Sequence, residues 1–444
     1  MKDGIAPEAA NGRSGSLDGL VTTTATSPEG SPGAAPTGVG PLTGVRVLAI
    51  EQMQAVPVLT FLMAQLGAEV VKVEQPPRGD SGRLAQPAIV DERDESVGAT
   101  FLRYNLGKRS VGIDLRDPRG RDLVLGLVPK FDVVAENLGP GRAAKFGVDY
   151  VPARRADPSV VYLSISGFGS SDESPYADRP AYAAVAEAMS GIYEYSRRPG
   201  EPPVITPVGG LGDTATGLYG LIGVLAALRH RDRTGEGQLV DVAMFDSMIA
   251  MCDVVANFWS LGMRRVPDTP ARVPYILAGF RAADGWFMIQ VVREHQFERL
   301  ARAIGRDDWL TDERFATRWG WSEHLETEIR PAIERWAARR TKGKAAAALA
   351  ELGIAAAPCN DAEDLVNDPH VAQRHMLLEI PRVDGVDQPV LVSGNPIKLS
   401  GTREPEGLTL PAMGEHTTAI LGDDLGLDPD EIAALVDEGV VHQA

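Results

Sequence analysis

The sequence from residue 45 onward alternates short apolar runs with helical patterns, and this alternation most constrains the fold. Residues 45–50 form a β-branched run, residues 57–66 repeat apolar side chains at helical spacing, and residues 69–74 form a second buried-strand pattern. The order continues with strands predicted at 110–114, 132–136 and 160–166 and a helix at 118–129. A strand–helix–strand series requires parallel strands joined by right-handed crossovers. The sequence therefore predicts an α/β fold whose larger domain is a doubly wound, Rossmann-like sheet.

The chain of 444 residues is too long for one ordinary core, so we expect more than one domain. Residues 1–40 are rich in Gly, Ala, Ser, Thr and Pro and predict a disordered tail. We expect a large α/β domain over 41–240, a connecting helix over 241–270, helical at 246–261, and a smaller central α+β domain over 271–365. Residues 366–444 return to a mixed α/β pattern that ends in a helix at 429–438.

Charge and cysteine content exclude several classes of function. The net charge of −17 argues against a nucleic-acid surface and against binding to anionic membranes. No segment reads as a transmembrane helix, and no apolar core follows Lys2 as a secretory signal would require. Cys252 and Cys359 lack metal-ligand spacing and His is sparse, so we expect no metal and a cytoplasmic location.

One carboxylate lies where a glycine-rich loop becomes an apolar helix. The segment at 209–217 reads Gly-Gly-Leu-Gly-Asp-Thr-Ala-Thr-Gly, and helical spacing continues over 214–231. A helix N-terminus has unpaired N–H groups and partial positive charge, which favour the ionised form of Asp213. An ionised, accessible Asp is suited to nucleophilic catalysis. The alternative is that Asp213 is only an N-cap, a common role for this residue type.

Two further loops suggest a ligand crevice. Lys108 and Arg109 stand just before a predicted strand and suit a phosphate group, although a solvated turn is the alternative. Asn137, Leu138 and Gly139 follow another strand. Because ligands of open α/β sheets bind at the carboxyl ends of strands, we expect both loops to lie at that edge. The first strand–helix turn lacks glycine, which argues against a dinucleotide cofactor.

Taken in order, many separated segments resemble the family III CoA-transferases, the group that includes formyl-CoA transferase, carnitine CoA-transferase and alpha-methylacyl-CoA racemase. The resemblance covers roughly residues 40–440. The matching segments are 40–48, 66–74, 105–110, 132–141, 164–169, 179–182, 188–191, 209–217, 233–238, 394–400 and 414–417.

The resemblance implies a role for each site residue. Asp213 would be the nucleophile that becomes acylated. The CoA-binding residues would be Gln54, Ala55, Lys108, Arg109, Asn137, Leu138, Gly139 and Lys145. Two positions differ from the family pattern: Gln75, with Arg78 nearby, stands where the family often has a charged residue, and Lys145 stands where it has Arg after the Asn137 loop.

The resemblance also implies a homodimer of two interlocked ring-shaped chains, in which the C-terminal part rejoins the large domain. The substrates would be an acyl-CoA and a carboxylic acid, with CoA as substrate and no permanently bound cofactor. Arg281 or Arg293 would be available to an acidic substrate.

Two alternative functions remain. A 2-methylacyl-CoA racemase of the same fold needs a base on each face of the α-carbon, but Tyr182 stands where that branch has His, and a phenol is a poor base at neutral pH. The other alternative is a non-catalytic acyl-CoA-binding protein.

Overall fold

A computed structural model of the chain describes residues 40–170, 174–198, 200–206, 208–262 and 273–444. The predicted tail up to residue 39 and the last part, 263–270, of the connecting segment predicted over 241–270 lie outside the described residues. The strands of the described part are β1 (Arg46–Ile50), β2 (Glu69–Glu74), β3 (Ala88–Val90), β4 (Ser96–Gly98), β5 (Arg109–Ile113), β6 (Val133–Glu136), β7 (Val161–Ser166), β8 (Leu239–Ala243), β9 (Ile276–Arg281), β10 (Trp286–Val291), β11 (Ala355–Pro358), β12 (Leu377–Ile380), β13 (Val390–Ser393) and β14 (Val441–His442).

The α-helices of the same residues are connected to these strands mostly by short loops. They are α1 (Ala55–Gln65), α2 (Ala99–Tyr104), α3 (Pro118–Leu127), α4 (Arg142–Phe146), α5 (Tyr150–Ala156), α6 (Ala183–Met189), α7 (Ile192–Ser196), α8 (Leu211–Thr234), α9 (Met244–Met251), α10 (Asp253–Ser260), α11 (Glu294–Ala303), α12 (Arg318–Glu323), α13 (Arg330–Ala337), α14 (Lys342–Ala350), α15 (Ala362–Val366), α16 (Pro369–Gln373), α17 (Thr417–Leu425) and α18 (Pro429–Asp437).

The large sheet has seven strands in the order β14-β5-β2-β1-β6-β7-β8. All neighbouring pairs are parallel except β14 with β5. The chain runs outward from β1 through β2 and β5 on one side, and from β6 through β7 and β8 on the other. Strand order therefore reverses between β1 and β6, where the carboxyl ends of an open α/β sheet leave a crevice. The predicted α/β class with a mainly parallel sheet is confirmed.

Two helical layers cover the two faces of this sheet. Alternate residues of a strand point to opposite faces. Val47 and Ala49 accordingly join a core with α1 and α8, whereas Leu48 and Ile50 join a core with α3, α17 and α18.

Glycines bring α8 unusually close to α1. A Cβ atom on Gly217 would lie 2.7 Å from the carbonyl oxygen of Ala55, and one on Gly220 would lie 3.0 Å from Leu59 Cδ1. Every residue of α1 is buried, since the helix lies between the sheet and α8. Helix α8 is long and apolar enough to cross a membrane by length and composition alone, but half of it is buried in this core.

A second, antiparallel sheet of β9, β10 and β11 lies within the segment predicted as the smaller domain. Its core includes residues of α11, α13 and α14, with Phe297 stacked on Trp321 at 4.5 Å between ring centroids. The C-terminal residues return to the large sheet. His442 pairs with Gly112, and Gly414 N–H donates to Ser110 Oγ at 2.8 Å.

The predicted boundaries of three buried strands lie within one residue of the observed boundaries. The strand predicted at 69–74 is β2 itself. The one at 110–114 is shifted by one residue from β5, and the one at 160–166 begins one residue before β7. The single helix predicted at 246–261 is wrong in one respect, because the backbone breaks at Cys252 into α9 and α10. The helix predicted at 214–231 begins earlier, at Leu211.

A buried group of charges ties β1, β2 and the loops at their carboxyl ends together. The Lys72 ammonium contacts Asp80 at 2.7 Å and Glu51 at 3.2 Å, and all three side chains are almost fully buried. Burial alone would lower the pKa of Lys72, but the two carboxylates outweigh it and hold the pKa above its usual value. Asp80 also accepts the N–H of Met53, whose φ of 61° lies in the left-handed region. The charges thereby fix the turn that follows β1.

We expect Lys72→Met to lower the free energy of unfolding by about 3–5 kcal/mol, because Asp80 would stay buried without its cation and Glu51 would keep only Lys108. Urea unfolding followed by circular dichroism measures this loss. Lys130→Met, at an exposed position, is the matched control and should change stability by no more than about 0.5 kcal/mol. A Lys72→Met protein as stable as the control would contradict the role given to the buried charges.

Candidate active site

Asp213 is the third residue of α8, and the N-cap of that helix is Gly210. The sequence-based alternative that Asp213 is an N-cap is therefore wrong. Gly209 and Gly210 have φ values of 60° and 98°, which a side chain would strain. A Cβ on Gly210 would also lie only 2.8 Å from Asp213 Oδ2. A side chain at Gly210 would thus crowd the Asp213 carboxylate, which accepts no hydrogen bond from any described residue.

The N-termini of α1 and α8 meet at this carboxylate. Gln54 is the N-cap residue of α1, and its side-chain amide donates to the Gly210 carbonyl at 3.2 Å and to Thr214 Oγ1 at 3.4 Å. A Cβ on Gly210 would lie 2.9 Å from that amide nitrogen, so Gln54 and Asp213 border the same small space. Ala55, the first residue of α1, is buried behind them. The structure therefore brings Gln54, Ala55 and Asp213 together.

Glu187 of α6 lies next to the first turn of α8, which carries Asp213. Its Oε1 accepts the N–H of Gly212 at 2.9 Å, and its Oε2 accepts the hydroxyl of Tyr193. The side chain is buried. Burial, and then the negative charge of Glu187, raise the pKa of Asp213 to about 6. At neutral pH Asp213 is still mostly ionised, yet it is more basic than an ordinary Asp, which suits a nucleophile.

The end of α2 forms another wall of the site. Arg103 donates to the hydroxyl of Tyr104 at 2.5 Å, and the Tyr104 hydroxyl is bonded to Thr214 in the first turn of α8. Burial raises the pKa of Tyr104; the charge of Arg103 lowers it and that of Asp213 raises it. The phenol therefore lies within electrostatic reach of both groups.

Sequence reasoning missed Arg103, Tyr104 and Glu187. Arg103 and Tyr104 stand immediately before the matched segment at 105–110, so their position was the available signal. For Glu187 the signal was an acid inside the otherwise apolar helix Ala183–Met189.

Asn137, in the loop after β6, is hydrogen-bonded to Gln52 in the loop after β1, at the point where strand order reverses. Its Oδ1 accepts the N–H of Gln52 at 3.0 Å, and its Nδ2 donates to the Gln52 carbonyl at 2.9 Å. Leu138 follows and donates its N–H to Glu136 at 2.8 Å. Gly139 has a φ of 90° and open space where a Cβ would be.

A cavity of about 180 Å³ opens at the same place, and we call it the switch-point crevice. It lies at the carboxyl ends of β1, β2 and β6. Its lining residues are Ile50, Glu51, Gln52, Val73, Glu74, Gln75, Gly79, Asp80, Leu115, Leu138, Arg142 and Phe146. Arg142, which sequence reasoning did not single out, is the arginine of this lining. Lys145 is exposed on the same short helix, α4.

The predicted cationic loop is not part of this edge. Arg109 begins β5, and its guanidinium binds Glu69 at the start of β2, at 2.7 Å. The expectation that this loop lies at the carboxyl ends of the strands is therefore wrong for Arg109. The Lys108 ammonium is buried and donates to Glu51 at 2.6 Å. Burial and the neighbouring Lys72 lower the pKa of Lys108 to about 8, against the attraction of Glu51.

Comparison with known proteins agrees with this architecture. The model of CoA-transferase family III matches residues 42–417, and the chain belongs to that family. It is 35% identical to succinyl-CoA:mesaconate CoA-transferase of Haloarcula hispanica, over 86% of this chain and 96% of that protein. It is 32% identical to succinyl-CoA–D-citramalate CoA-transferase of Chloroflexus aurantiacus, over 90% of this chain and 98% of that protein.

A solved structure of a CaiB/BaiF family protein from Brucella suis is also similar. It superposes with a TM-score of 0.75 at 32% identity, covering 87% of this chain and all of that one. The protein is thus a CoA-transferase, an enzyme whose substrates are CoA thioesters.

If Asp213 is the nucleophile, we expect the acidic limb of kcat/KM to lie near pH 6, since a carboxylate attacks in its ionised form and the pKa of Asp213 is about 6. Activity should fall as the pH drops through this value. Glu187→Gln keeps an acceptor for Gly212 N–H but removes a negative charge, so the limb should move to lower pH by about one unit.

The measurement is a pH profile of kcat/KM for both proteins. Glu236→Gln, the same chemical change in the exposed turn after α8, should leave the limb in place. A limb that stays near pH 6 in Glu187→Gln would show that the Glu187 charge does not reach the nucleophile.

Proposed function

We propose that this enzyme transfers CoA from an acyl-CoA to a carboxylic acid through covalent intermediates on Asp213. The observation that carries the proposal is the half-buried carboxylate of Asp213, which lies beside a glycine turn at the start of α8 and accepts no hydrogen bond from any described residue. A carboxylate that served only structure would have donors around it, as the buried Glu74 has in Arg83 and Ser110.

Each step breaks one acyl bond and forms another. The Asp213 carboxylate attacks the thioester carbonyl, CoA leaves as the thiolate, and a mixed anhydride forms. The thiolate then attacks the Asp213 carbonyl and releases the donor acid, which leaves an aspartyl-CoA thioester. The acceptor carboxylate attacks this thioester to give a second anhydride, and the returning thiolate attacks the acceptor's carbonyl. Asp213 is regenerated and the acceptor carries CoA.

The residues around Asp213 suit these steps. Each tetrahedral intermediate develops an oxyanion, and a donor aimed at it is worth about 3 kcal/mol. The Gln54 amide, held beside Asp213 by Gly210 and Thr214, is one candidate donor. The anhydride must also be protected from water, which the surrounding apolar packing of α1 and α8 favours.

The switch-point crevice is the proposed site for the nucleotide part of CoA. The family resemblance implies that Asn137, Leu138 and Gly139 line the path of the pantetheine arm of CoA. Arg142 and Lys145 on α4 offer cations for the phosphates. Because Lys108 is buried against Glu51, we assign it to holding the turn after β1 and not to direct phosphate binding.

For the acids themselves we propose dicarboxylates. The relatives reported above are named for succinyl-CoA, mesaconate and D-citramalate, all of them dicarboxylic. The racemase alternative is weaker, because Tyr182 is 82% exposed and supplies no second base.

Asp213→Ala should lower CoA transfer by about 10³-fold or more, since the acyl-accepting group is gone. Wild-type enzyme incubated with succinyl-CoA and then hydroxylamine should carry a hydroxamate on the peptide that contains Asp213, detected by mass spectrometry. Asp232→Ala, an exposed acid at the other end of α8, is the control and should retain activity. Transfer by Asp213→Ala at the control's rate would refute the covalent mechanism. Asp213→Asn is a poorer test, because deamidation would restore the carboxylate.

We also propose that the chain is a homodimer, interlocked as in the family. Leu218, Ile222 and Leu225 lie on one exposed face of α8, and Ile222 is 63% exposed. An apolar stripe at this spacing on a core helix is typical of a surface that a partner covers.

Size-exclusion chromatography with light scattering should therefore give the mass of two chains. Ile222→Glu should yield monomer or aggregate, because it would bury an unpaired charge in the interface. Arg155→Glu, at an exposed position of α5, should remain dimeric. A monomeric wild-type protein would disprove the dimer.

A further inference from the structure

We infer that Arg103 recognises the second carboxylate of a dicarboxylic substrate, the carboxylate that does not react. The inference rests on the proposed function and names the residue that would select its acids.

Arg103 is held on the wall of the site by two contacts. Its guanidinium carbon lies 4.7 Å from the ring centroid of Tyr104, and Nη2 donates to the Tyr104 hydroxyl at 2.5 Å. A Cβ on Gly209 would lie 3.6 Å from Nη1, so the guanidinium borders the glycine turn that leads to Asp213. A planar guanidinium fixed in this way is pre-organised for a carboxylate.

The charge of Arg103 has no acidic partner among the described residues. Two other arginines of the large domain that are shielded from solvent have acidic partners: Arg83 binds Glu74, and Arg46 binds Glu69 and Asp424. Arg103 is only partly exposed, and a partly desolvated cation is stabilised by an anion that binds next to it. An incoming ligand carboxylate would supply that anion.

The position of this cation fits the distal carboxylate and not the reacting one. A Cβ on Gly209 would lie 3.6 Å from Arg103 Nη1, whereas a Cβ on Gly210 would lie 2.8 Å from Asp213 Oδ2. The guanidinium and the carboxylate therefore border adjacent residues of the same glycine turn. A short dicarboxylic acid fits this arrangement, with one carboxyl group at Asp213 and the other, a few bonds away, at Arg103.

The test compares succinate with butyrate as acceptors, because the two acids share a four-carbon chain and differ in the second carboxylate. With succinyl-CoA as donor, new thioesters are measured by mass spectrometry, and kcat/KM is determined for each acid. In a covalent exchange the acceptor's kcat/KM starts from the loaded enzyme, so the donor cancels from the ratio. For succinate, exchange is followed with isotopically labelled acid.

Wild-type enzyme should prefer succinate. Arg103→Met should lower the succinate-to-butyrate ratio about tenfold to a hundredfold, the effect expected for a lost charged hydrogen bond. Arg103→Lys should lower it less, since a point charge remains without the planar fork. Arg340→Met removes an arginine that lies over Trp336 in the smaller sheet's core region, and should leave the ratio unchanged.

Two outcomes separate the inference from the proposed function. If Arg103→Met slows both acids by the same factor, Arg103 is not the distal-carboxylate residue, although CoA transfer stands. If wild-type enzyme loads no acid with CoA, the proposed function fails as well. Should Arg103→Met not fold, as judged by circular dichroism, the ratio in Arg103→Lys decides, and a ratio equal to wild type overturns the inference.

Discussion

The buried contact between Lys72 and the carboxylates of Asp80 and Glu51 is the interaction on which the site depends. These groups come from the middle of β2 and from the two loops that follow β1 and β2. Removing ions from water is costly, and the cost is offset only when each ion keeps its partners in good geometry. The turn after β1, with Met53 in a left-handed conformation, therefore has little freedom to move. Because Gln54 directly follows Met53, this turn also fixes the position of Gln54.

The second determinant is the close approach of α1 and α8. Small residues on α8 let its backbone reach the α1 carbonyls, and the glycine turn at its N-terminus leaves room for a reacting group. Packing of α8 on α1 sets the distance between the two helix N-termini. The buried charges hold the turn after β1, from which α1 begins. The relative position of Gln54 and Asp213 therefore depends on both the packing and the charges. A nucleophile held on such rigid elements loses little entropy at the moment of reaction.

The sequence predicted the fold class and most strands because buried parallel strands are continuous apolar runs with clear boundaries. It also predicted that Asp213 lies where a glycine-rich loop becomes a helix, and α8 begins two residues before it. That Gln54 is the N-cap residue of α1 was not predicted. It failed for Arg109, because a loop before a strand lies at the opposite edge from a loop after one, and only the pairing of Arg109 with Glu69 reveals this. Glu187 and Arg103 were missed because their significance comes from neighbours 25 or more residues away, as with Glu187 and Gly212. The break at Cys252 has no proline or glycine to announce it.

The pairing of β14 with β5 has a consequence for biosynthesis. Val441 of β14 pairs with Ile113 of β5, and the nearby bond between Gly414 and Ser110 joins residues 304 positions apart. A nascent chain therefore exposes the edge of β5 until β14 has left the ribosome. An unpaired edge strand of a parallel sheet is a template for association with other chains. Contacts between such distant residues also form slowly, because a long loop must close first. Synthesis of this protein therefore includes an interval in which the sheet is nearly complete but unprotected, and that interval ends only when the last strand docks.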